Sequence, residues 1–96
     1  MQNTVASKIL RTEERECDGA SYVYTLSTTR GQRVASFGLT LYSIGICMTD
    51  SDGNVTHSSL EEIFSDSKKA IRFFNRLVDN LATPIDLPYI LEDELR

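Results

Sequence analysis

The chain has 96 residues, 41% of them hydrophobic and 25% charged, with a net charge of −4. That is enough for one domain and too few for two, and the balance argues against disorder over most of the length. It also argues against a nucleic-acid partner: phosphate binding needs an excess of Lys and Arg, and the only dense basic group runs from Lys68 to Arg76.

The spacing of apolar residues predicts a first strand over residues 4–16, marked by an irregular alternation through Val5 and Ile9. Its second half, from Arg11 to Glu16, is heavily charged, which suits an edge strand guarded against unwanted pairing. Asp18-Gly19 is a two-residue hairpin signal, because both residues accept positive φ. A second strand is expected over 20–29, with Tyr22, Tyr24 and Leu26 on one face and Ser21, Val23, Thr25 and Ser27 on the other. A turn at 30–33 leads to the longest candidate, over 34–49. Both of its parities carry apolar groups, and Gly38 and Gly45 interrupt it. Glycine inside a strand marks a bulge or bend, so this segment reads as one strongly bent strand or as two strands divided around residues 42–45. Asp50-Ser51-Asp52-Gly53-Asn54 is the next hairpin turn, and a short last strand follows over 55–59.

Beyond residue 60 the spacing becomes helical. Ala70, Phe73, Phe74, Leu77, Val78 and Leu81 recur at three and four, widened by Ile71, and predict a helix over 66–81 with Ser65 or Asp66 as its N-cap. Thr83-Pro84 ends it. A short terminal helix is expected after Asp86 as N-cap, with Pro88 in its first turn and Leu87, Ile90, Leu91 and Leu95 on its apolar face. The expected fold is α+β: an antiparallel meander of about three to five strands, one long amphipathic helix on one face, and a short C-terminal helix at an edge or end.

Few residues form chemistry-bearing sets. Asp50-x-Asp52-x-Asn54 mimics the start of a calcium loop, but Val55 stands where the sixth-position Gly is required, and a hairpin turn accounts for the same residues. Cys17, Cys47 and His57 match no zinc spacing. Cys47 and His57 can be imagined as a nucleophile and base across a hairpin, although strand residues that close commonly just pair. No phosphate-binding glycine loop is present. No catalytic, metal-binding or cofactor-binding residue is therefore assigned. Two cysteines form no disulfide framework and fit reduced thiols in the cytosol. There is no basic leader followed by an apolar run, and no stretch approaches the ~18 consecutive apolar residues of a membrane span.

Tyr42-Ser43-Ile44-Gly45-Ile46, the helix with Ala70 and Leu77, and the ending Thr83-Pro84-Ile85-Asp86-Leu87-Pro88-Tyr89-Ile90-Leu91-Glu92-Asp93-Glu94-Leu95 carry a resemblance. Together they resemble a family of small uncharacterised bacterial proteins that end in T-P-[IV]-x-L-x-x-[IV]-[IL]-E-D-x-L. The resemblance covers about residues 42–95 and implies membership in a domain family of unknown function, with no chemistry attached.

The leading expectation is a non-enzymatic interaction or regulatory module with a protein partner, one form of which is a homodimer. Its candidate surface is Pro84, Leu87, Glu92, Asp93 and Glu94, where the acids would meet a basic partner. The alternative is a small-ligand binder or enzyme with a pocket in the concave face of the sheet, lined by Gly38, Gly45, Tyr22, Tyr24, Tyr42 and His57.

Overall fold

The computed structural model describes residues 7–30 and 38–95. The expected strand residues 4–6 and 34–37, and turn residues 31–33, lie outside that set. Four antiparallel strands run in sheet order β1-β2-β3-β4: β1 (Ser7–Cys17), β2 (Ala20–Arg30), β3 (Thr40–Thr49) and β4 (Val55–Phe64). Helix α1 (Ser67–Asp79) and a short helix α2 (Leu87–Glu94) follow, with a 3-10 turn over Pro84–Asp86 between them. The α+β meander read from the sequence is the fold observed.

Local chemistry explains the turns. Asp18 and Gly19 both take positive φ, 52° and 82°, and close the first hairpin. Asp50 closes the third: its carboxylate accepts from the Asp52 and Asn54 amides, each at 2.9 Å. Those backbone donors hold the Asp50 carboxyl below its usual range. The residues that mimic a calcium loop thus build the β3–β4 turn.

Two strand expectations are corrected. β3 is not divided around residues 42–45: its register with β2 runs unbroken from Thr40–Arg30 to Thr49–Ser21. The irregularity lies in the opposite strand, where the β3–β4 register shifts between Tyr42 and Ile44 and Glu62 takes φ 54°. Ser43 is buried beneath that bulge, and its hydroxyl accepts from the Glu62 amide at 2.8 Å. The bulge also lets β4 continue to Phe64 instead of ending at Ser59.

Asp66 is the α1 cap, accepting from the Lys68 and Lys69 amides at 2.8 and 3.3 Å. The helix stops at Asp79, earlier than expected. Leu81 turns left-handed at φ 52°, while Ala82 N–H bonds Leu77 C=O and Leu81 N–H bonds Val78 C=O. This is a Schellman ending, with the Leu77–Ala82 pairing it favours buried in the core. Asp86 holds the N-cap position of α2, as expected, but its side chain does not bond the helix amides: its carboxylate accepts instead from the Thr83 hydroxyl at 2.8 Å.

The core lies between one sheet face and the helices. Tyr24 and Leu26 of β2, Ile44 and Ile46 of β3, and Phe64 of β4 meet Ala70, Phe73, Phe74, Leu77 and Val78 of α1, with Leu87 closing the end. Each large side chain fully buried there contributes about 1.5–3 kcal/mol. β1 sends no buried residue into this core. Among the described residues, no helix is long and apolar enough to cross a membrane.

Candidate functional site

Strand alternation separates the residues expected to share a pocket. Tyr22, Tyr24 and Tyr42 are on the helix-covered face. Tyr24 is wholly buried, and its hydroxyl donates to Ala82 C=O at 2.8 Å. His57 stands directly opposite Cys47 in the β3–β4 register, on the uncovered face. Gly38 precedes β3 at an exposed position. The tyrosines therefore do not meet His57 in one pocket, because neighbouring positions along a strand point to opposite faces.

The uncovered face holds a shallow groove of about 280 Å³ across β2, β3 and β4, lined by Thr25, Ser43, Gly45, Cys47, His57 and Ser59 among others. A Cβ at Gly45 would meet Ser59, the Ser58 carbonyl and His57 at ordinary contact distances of 3.7, 3.8 and 4.0 Å, so a side chain there would occupy the floor of the groove without a clash at its first carbon. Cys47 and His57 adjoin, as the sequence allowed. Among the described residues, no three His, Cys, Asp or Glu side chains gather as metal ligands. Cys17, beside the first hairpin, donates its thiol to the Asp18 carboxylate at 3.6 Å. That negative charge pushes the thiol pKa up and disfavours the nucleophilic thiolate.

The C-terminal segment divides differently from expectation. Pro84 and Leu87 are buried and brace the segment from inside. Glu94 is turned back on α1, where it pairs with Arg76 at 2.9 Å and Arg72 at 3.7 Å. Glu92 and Asp93 remain at the surface. Two residues not chosen from the sequence join them there: Ile85 is 72% exposed and Tyr89 70%. Tyr89 is three and four residues before Glu92 and Asp93, so the three share one side of α2. The available signal was the segment's excess of apolar residues. Leu87, Ile90 and Leu91 suffice for one buried stripe, which leaves Ile85 and Tyr89 for the other side.

This two-layer α+β architecture leaves Ile85 and Tyr89 exposed on the C-terminal segment and one face of the sheet uncovered by helix. The chain belongs to a family of unknown function, DUF6514, whose model matches residues 1–96. The match includes the N-terminal forty residues that the sequence resemblance left uncovered. No curated protein and no solved structure matches the chain.

Proposed function

We propose that the protein is a non-enzymatic interaction module whose partner-facing surface is the outward side of the C-terminal segment. The observation that carries this reading is the pair Ile85 and Tyr89, held out in water by a segment whose inner side is core. Burying both would gain several kcal/mol in association, and large apolar anchors ringed by charge are the usual anatomy of an interface. Glu92 and Asp93 supply that ring and select a protein partner with an apolar pocket rimmed by Lys or Arg. A cytosolic location fits the two free cysteines.

The test compares wild type with the I85S/Y89S double variant in co-purification from native lysate. Circular dichroism confirms that both fold. Supporting the proposal requires a partner held by wild type, lost by the double variant, and weakened by E92K/D93K. Equal retention by all three would remove the surface from consideration.

A second reading, a small-ligand binder or enzyme, rests on the groove over Gly45, Cys47 and His57. A ligand that raises the melting temperature of wild type but not of G45V would favour it over the first.

A further inference from the structure

The C-terminal segment lies beside the β4 side of the sheet, where Glu94 and Leu95 adjoin Ile63 and Phe64. The other side ends at β1, which among the described residues has a strand neighbour only in β2. Half the backbone N–H and C=O groups of an outer strand point away from its ladder and are a template for another strand. β1 is eleven residues long and offers such a row. We propose that β1 is the seam of a homodimer in which two copies pair antiparallel, about a twofold axis through Thr12, and join their sheets. This goes beyond the C-terminal docking surface and uses a separate part of the molecule.

The charges of β1 choose the axis. Arg11 pairs with Leu26 and Glu13 with Tyr24, so both project from the helix-covered face. A twofold axis normal to the sheet preserves faces. Each allowed register therefore sets one residue opposite its own copy. Centring on Arg11, Glu13, Glu14 or Arg15 places a like charge against itself, which is unfavourable. Centring on Leu10 puts the axis on the irregularity between Ile9 and Arg11, where regular pairing is interrupted. Centring on Thr12 sets Thr12 against Thr12, Arg11 against Glu13 of the second copy, and Glu13 against its Arg11. Both kinds of pair favour strand association. Of these registers, the charge pattern that suits a guarded edge favours the one centred on Thr12, which sets no like charges opposite one another.

The helices leave room for this seam. α1 packs over β2, β3 and β4 and reaches β1 through the Arg11 side chain, which contacts Asn75. In the joined sheet the two β2 strands stand three spacings apart, roughly 14 Å, whereas helices pack at about 8–10 Å. The α1 helices, centred further out still, do not collide. Arg11 is held by a long 3.5 Å contact to Asn75 and Glu13 by an exposed pair with Arg15 at 3.2 Å, and the cross-copy pair takes the place of both. Ile9 and Leu10, 63% and 43% exposed, sit at the irregularity of β1, which ends the regular pairing on either side of the axis, so the regular seam spans residues 11–13 of each copy. The seam is short, so the dimer belongs to the weak, concentration-dependent class.

Sedimentation velocity on the full chain, from about 1 to 100 µM, tests the proposal. Wild type is expected to shift from monomer to dimer over that range. R11E and E13R each set like charges opposite one another at two symmetric positions, and each should weaken association about tenfold or more. The R11E/E13R double variant restores opposite charges and should recover the dimer. Circular dichroism confirms that each variant folds. I85S/Y89S should dimerise as wild type does. A wild type that stays monomeric, a dimer indifferent to the single reversals, a folded double variant that fails to recover, or a dimer abolished by I85S/Y89S would each overturn the proposal.

Discussion

Tyr24 joins the sheet to the chain reversal after α1, and Tyr24→Phe isolates that link. The substitution keeps the ring in the core and its stacking on Tyr22, with centroids 6.4 Å apart. It removes only the hydroxyl that donates to Ala82 C=O at 2.8 Å. Both residues are buried, so the carbonyl loses its partner where water does not replace it. The expected cost is about 1–3 kcal/mol, and each kcal/mol lowers the melting temperature by about 4–8 °C in a domain this small. A second signature comes from pH. Burial, reinforced by neighbouring Tyr22, pushes the Tyr24 phenol up to about 12. The unfolded chain releases that proton near pH 10, so between about pH 10 and 12 the folded state binds one proton more. The Tyr24 contribution is intact below pH 10 and is lost as pH rises through 12, with a slope of at most about 1.4 kcal/mol per pH unit. Urea denaturation at neutral pH and across this alkaline range measures both effects. The reasoning fails if Y24F unfolds at the same urea concentration as wild type, or if it keeps the full alkaline slope.

Three further outcomes follow from the same contacts. D66A removes the acceptor for the Lys68 and Lys69 amides and should cost about 1 kcal/mol, whereas D66N keeps an acceptor and should cost much less; urea midpoints distinguish them. F73A empties a fully buried site beside the Phe64 ring, 5.5 Å away, and should cost about 3–5 kcal/mol, a large share of the stability of a domain this size. E94Q releases Arg72 and Arg76, both substantially exposed, so the loss should stay below about 1 kcal/mol and shrink in high salt. A loss unchanged by salt would show that packing, not charge, holds α2 there.

Most of the architecture was legible because periodicity survives in the local chain. The alternation of Tyr22, Tyr24 and Leu26, the stripe from Ala70 to Val78, and the Asp18-Gly19 turn each express one backbone geometry directly. The errors fall where side chains or distant strands override that local signal. The end of β4 was hidden because a bulge at Glu62 rotates the pattern partway along the strand, and a serine on β3 holds that bulge. The end of α1 was hidden because a leucine takes a conformation that glycine usually fills. For the C-terminal segment, the sequence could not decide which residues of an apolar helix face inward. That choice belongs to the sheet on which the helix lands, so Pro84 and Leu87 became core while Ile85 and Tyr89 became surface.

The absence of buried side chains along β1 gives the sheet an uneven resistance to opening. β2 and β3 part from α1 only if the whole apolar layer is dismantled, so their amides should exchange with solvent near the rate set by global unfolding. β1 is held by a single ladder and little else, and it can peel away while the remainder stays closed. Its hydrogens should therefore be the first of any strand to exchange, and whatever ligates its outer side will slow them before it protects any other part of the chain.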